Sequence, residues 1–116
     1  MGHTLAEKIL MRNTGAASYK PGDIAMTTPD QIAFLDIYAA FVYEKFKEMG
    51  FDKVRYPART TIIQDHLLPT CRIDAPRALP YSHTFAEEFD IERPYVGAGI
   101  CPHPMPELRL AIPGET

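Results

Sequence analysis

The strongest pattern along the chain is a run of apolar residues at steps of three and four: Ile32, Leu35, Tyr38, Ala39, Val42, Phe46 and Met49. Glu44, Lys45, Lys47 and Glu48 fall mostly between them, so the period predicts one long helix over about 29–49. Thr28-Pro29-Asp30-Gln31 supplies its start, with Thr28 as the cap, Pro29 at the first helical position and Gln31 closing a capping box. Gly50 supplies the stop. Phe34, Ile37, Phe41 and Tyr43 widen the apolar surface beyond a single stripe, which predicts cover on more than one side and self-association of the chain alone.

Shorter patterns flank this helix. Thr4-Leu5-Ala6-Glu7 has the form of a capping box and predicts a short helix through about Met11, ended by 13–15. Lys20-Pro21-Gly22-Asp23 reads as a turn feeding a brief strand over 23–26. Arg59-Thr60-Thr61-Ile62-Ile63-Gln64 is β-branched and bounded by Pro57 and Pro69, which suits a strand ending at Asp65-His66. A second helix over 82–89, carrying Phe85 and Phe89 on one side, and a glycine-broken strand over 95–100 complete an α/β reading of 116 residues as a single domain.

Composition narrows the function classes. With 46% hydrophobic and 23% charged residues the chain is ordinary globular material, long enough for a modest core. Its formal net charge of -3 and scattered Lys and Arg give no attraction for a polyanion, so nucleic acid is excluded as a partner. The sequence has no apolar run long enough to span a membrane and no signal-peptide core at its start, which predicts a cytoplasmic protein with no membrane partner. Cys71 and Cys101 are too few and too far apart for a disulfide framework or a Cys-x-x-Cys metal site.

Two places can carry chemistry. In Asp65-His66 a carboxylate can fix the tautomer of an imidazole and raise its pKa, making it a proton donor near neutral pH. Neighbouring side chains on a strand point to opposite faces, so such a pair requires the backbone to bend there. His103 follows Gly97-Ala98-Gly99-Ile100-Cys101-Pro102, where glycines permit close backbone approach and prolines stiffen the exit. His3 and His83 have no informative setting, and there is no phosphate loop, His-Glu-x-x-His or nucleophile elbow.

Taken together, several segments resemble the opening of the large subunit of isopropylmalate isomerase and its aconitase relatives, in that family's order and with about its spacing. They are Gly2 to Leu10, Lys20 to Asp23, Phe46 to Gly50, Asp65-His66-Leu67-Leu68-Pro69, Gly97 to His103, and Leu110 to Glu115. The resemblance implies a partial aconitase-type N-terminal domain with a short N-terminal helix, the long helix and short strands. It also implies part of a hydro-lyase that removes and adds water on a hydroxy di- or tricarboxylic acid. A 4Fe-4S cluster serves such enzymes, leaving one iron open to polarise the C–O bond. His66, oriented by Asp65, is then the acid that protonates the departing hydroxyl, and His103 is a second imidazole of the site.

The chain departs from the family pattern in three places. Thr27-Thr28-Pro29-Asp30 stands where the family carries a polar pocket segment, making Thr27 and Thr28 the substrate-contact candidates. Pro102 is inserted between Cys101 and His103. The third departure is that the chain stops before the family's Asp-Ser-His segment and its three cluster cysteines. The expectation is therefore an N-terminal portion that is inactive alone, binds no cluster by itself, and works with the remainder of a large subunit and a small subunit. The alternative is a stand-alone binding or assembly domain derived from the same fold.

Overall fold

A computed structural model describes residues 2–67, 75–92, 94–96 and 99–116, with backbone alone for 75–79 and 94–96. Helix α1, Leu5–Thr14, starts at the expected capping box: the Thr4 amide donates to Glu7 Oε2 at 2.8 Å, and the Glu7 amide donates to the Thr4 hydroxyl at 3.3 Å. It runs three residues past the expected end, to Thr14, and Gly15 closes it with a left-handed φ of 74°. Residues 23–29, expected to include a brief strand, are irregular, and Ile24 and Met26 are almost fully exposed.

The expected long helix is two elements. Ile32–Leu35 forms strand β1, and helix α2 begins only at Asp36 and ends at Glu48. Ile32 and Leu35 fit either period, and pairing decides between them: β1 lies parallel to strand β2, Thr60–Gln64, with Ile32 beside Thr60 and Leu35 beside Ile63. The residues assigned to the helix cap serve this strand pair instead. Gln31 Nε2 donates to the Thr61 hydroxyl at 2.6 Å, and the Arg59 guanidinium donates to the Pro29 carbonyl at 3.0 Å.

A 3-10 turn, Pro57–Arg59, leads into β2. Helix α3, Ala75–Glu88, starts well before the expected 82 and carries Pro80 inside it. Strand β3, Pro94–Val96, pairs parallel with β2, giving the sheet order β1-β2-β3. The chain thus makes two successive βαβ units. Ile62, Phe85, Phe89 and Ile91 form the buried core, with Phe34, Val42 and Phe46 packed against it, so α2 and α3 cover the same face of the sheet. Tyr43 and Lys47 of α2 both bond Glu88 of α3, pinning the two helices at their outer ends. An apolar cavity of about 140 Å³ lies between α2 and the sheet, bordered by Ile32, Phe34, Val42 and Thr60. A last short helix, α4, spans Pro104–Glu107.

β2 is buried at every position, as the middle strand of a parallel sheet should be. None of the described helices is long and apolar enough to cross a membrane.

Candidate functional site

In a parallel sheet the strands' carboxyl ends share one rim, and ligands bind there. Asp36 follows β1 directly, Asp65 and His66 follow β2, and the segment after β3 returns to the same rim through Cys101. The bend required for the dyad is present, because β2 ends at Gln64 and the chain turns at His66 and Leu67. The Asp65 carboxylate then reaches His66 Nδ1 at 2.6 Å.

Burial divides the roles within this pair. The Asp65 side chain is 2% exposed and the His66 side chain 48% exposed, so the carboxylate is fixed and the imidazole faces outward. The second Asp65 oxygen accepts the Cys101 amide at 2.7 Å, tying the glycine-rich segment to the dyad. His66 titrates above the ordinary histidine value, first because it hydrogen-bonds Asp65, with the charges of Asp65 and Asp36 adding to this and partial desolvation opposing it. With Nδ1 held by Asp65, Nε2 is the nitrogen free to give up a proton.

Asp36 is the residue that sequence reasoning missed. Fully buried, it accepts the Ile37 amide at 2.9 Å and the His66 amide at 3.3 Å on one oxygen, and the Leu67 amide at 2.9 Å on the other. It therefore stabilises the positive end of α2 and holds the bend on which His66 sits. The signal was an acid where a strand gives way to a helix, but reading 29–49 as one helix placed Asp36 in the middle of it.

Asp36, Asp65 and His66 each offer one possible metal ligand atom, all within 4.8 Å of one another. Both carboxylates already use both oxygens on the amides and ring nitrogen named above, which makes the group a clamp on the backbone and the imidazole. The Cys101 thiol is pushed up by burial and by the Asp65 charge, away from the thiolate that binds metals. Cys71 lies outside the described residues.

The other candidates are placed differently. His103 is exposed just before α4, two residues beyond the Cys101 amide, and its side chain does not cap that helix. Thr28 is held by Asn13, whose amide group bonds both its carbonyl, at 2.7 Å, and its N–H, at 3.0 Å. Thr27 and Thr28 precede β1, so the structure sets them at the opposite end of the strands from the dyad.

Nearly the whole chain matches known large subunits of one enzyme. It is 34% identical over 116 residues to 3-isopropylmalate dehydratase large subunit 1 of Pyrococcus furiosus, covering 98% of this chain and 27% of that protein. The chain is homologous to a segment of the 3-isopropylmalate dehydratase large subunit. The Methanopyrus kandleri large subunit 1 is 33% identical over 116 residues, with 99% of this chain and 28% of the relative covered. The Nitratidesulfovibrio vulgaris large subunit is 32% identical over 117 residues, again with 99% and 28% covered. The chain thus spans a little over a quarter of the length of these dehydratase subunits. No family model matches it.

Proposed function

We propose that this chain is the N-terminal, proton-handling portion of a dehydratase of the 3-isopropylmalate type, acting on a hydroxy di- or tricarboxylic acid together with the remainder of a large subunit and a small subunit. The observation that carries this reading is the Asp65–His66 pair, with its buried carboxylate and outward imidazole, in a chain homologous to these enzymes.

Protonated His66, with Nδ1 on Asp65, presents its Nε2 proton to the substrate hydroxyl. As the C–O bond breaks, the proton passes to the departing oxygen and water leaves, while the neighbouring carbon gives its proton to a base supplied by the remainder of the enzyme, its C–H electron pair becomes the C=C bond, and the neutral imidazole stays oriented by Asp65. Asp36 keeps the ring in place through the His66 and Leu67 amides and adds negative charge that favours the imidazolium. His103, on the segment that Asp65 anchors, is the second imidazole of this reading.

A 4Fe-4S cluster with one open iron needs three thiolates, whereas the chain has two cysteines, one of them held toward its neutral form. The cluster does not fit this chain's own donors, so its ligands belong to another part of the enzyme.

In the complete enzyme, His66→Ala should lower kcat by about a hundredfold or more while KM stays within a few-fold, because a general acid acts on charge that develops in the transition state. Asp65→Asn should lower kcat less. Near-normal turnover in His66→Ala would overturn the assignment.

A further inference from the structure

A polar bond inside the apolar face is the feature that the dyad and its clamp leave unexplained. Gln64, the last residue of β2, is 2% exposed, and Ser82 of α3 is fully buried. The Gln64 side-chain amide donates to the Ser82 hydroxyl beneath the helices that also cover Ile62, Phe85 and Phe89. Burying an amide and a hydroxyl is unfavourable unless they are bonded, and even a bonded pair does about as well as apolar residues of the same shape. Stability therefore gives no reason for it. A directed bond does what apolar contact cannot, which is to fix an angle.

The angle in question is that of the strand end. The Gln64 backbone lies beside Val96 of β3, the strand that leads on to Cys101. Successive side chains of a strand leave on opposite sides, so Gln64 is tied into the helix-covered face while Asp65, the next residue, starts from the other. Asp65 then accepts the Cys101 amide at 2.7 Å and reaches His66 Nδ1 at 2.6 Å. The peptide between Gln64 and Asp65 is thus held on both sides, directly before the bend that carries His66. Releasing it on the Gln64 side would let this peptide rotate, and the Asp65 carboxylate would swing with it.

Resting on the reading of the chain as the proton-handling portion of a dehydratase, we propose that Gln64 is a positioning residue: through its bond to Ser82 it aims the Asp65 carboxylate and so holds the His66 ring at the angle that proton transfer needs. Gln64 itself points away from the imidazole, into the aromatic face.

The test removes the bond from either end. Gln64→Leu keeps the volume and deletes the donor, and Ser82→Ala deletes the acceptor. NMR titration of the ring protons should place the His66 pKa lower in both, because its bond to Asp65 is the first cause that raises it; among the described residues, Asp65 and Asp36 are the charges that act on the ring. Combining the two changes should move it no further than Gln64→Leu alone, since each removes the same bond. In the complete enzyme, Gln64→Leu should lower kcat about tenfold while KM stays within about twofold. Phe89→Leu, on the same face, is the control: compared at an equal fall in urea midpoint, it should leave the His66 pKa in place. If the pKa is unchanged in Gln64→Leu and Ser82→Ala, or falls as far in Phe89→Leu, the bond is only structural and the proposal is overturned, while the dehydratase reading, tested by His66→Ala, stands. Should Gln64→Leu not fold, Ser82→Ala decides by the same measurements. Near-normal turnover in His66→Ala would instead sink the reading, and with it the role of Gln64 in turnover.

Discussion

On the helix-covered face, Phe34, Phe46, Phe85 and Phe89 meet ring against ring at centroid distances of 4.7 to 5.5 Å. A few residues further along the same strands, Asp36 and Asp65 hold three segments of chain together through hydrogen bonds to backbone amides and one imidazole. The first region is held by apolar contact, which has no preferred direction and does not titrate. The second depends on a handful of directed bonds, and its outward member is an imidazole whose proton is held more tightly than in an ordinary histidine. Stability should therefore respond mainly to changes in the aromatic face, and proton chemistry mainly to changes at the strand ends.

Truncating the centre of the aromatic face should have the largest effect on folding. Phe85→Ala removes a 1%-exposed side chain that contacts Phe34, Tyr43, Phe46 and Phe89, and should cost about 3–5 kcal/mol in urea unfolding. A cost below about 1 kcal/mol would show that the core lies elsewhere. Asp36→Asn should cost less, about 1–3 kcal/mol, because the side chain keeps its shape but loses one of two acceptor oxygens for buried amides. It should also lower the pKa of His66, whereas Phe85→Ala should leave that value in place in the fraction still folded. If both variants moved it equally, the two regions would not be separable.

The finest test changes charge with almost no change in shape. Asp65→Asn should bring the His66 pKa down toward the ordinary value, measured by NMR titration of the ring protons. The sign of the accompanying pH dependence follows from linkage. Because the folded value is the higher one, the His66 contribution to stability is fully present below the unfolded pKa and is lost as pH rises through the folded pKa. Turnover that depends on the imidazolium should fall over the same upper range, and in Asp65→Asn that fall should move to lower pH. Above the folded pKa, where this contribution is already lost, His66→Ala in the isolated chain should scarcely change stability, since the ring is half exposed and packs little. A large loss would make His66 a structural residue.

Legibility in the sequence tracked how local the cause was. The Thr4–Glu7 box and the strand ending at Gln64 depend on neighbours within a few residues, and both were readable. The start of α2 was misread because Ile32 and Leu35 satisfy helical and strand periods alike, and the deciding partner, β2, lies nearly thirty residues away. Pro80 concealed the first half of α3, since an interior proline ordinarily argues against a helix. At the site, Asp65 and His66 are adjacent in sequence and were legible. The clamp by Asp36 comes from a different strand end and became visible only once β1 was placed beside β2.

The bond from the Cys101 amide to Asp65 has a bearing on the order in which the molecule assembles. It joins residues 36 positions apart, and the intervening chain must first complete α3 and β3. Closing a loop of that length before its contacts form is entropically unfavourable, so the βαβ framework should condense first and this bond should close near the end of folding. A newly made chain would then pass through a stage with its aromatic core formed and the Asp65 carboxylate anchored on one oxygen only, and the glycine-rich segment would dock last.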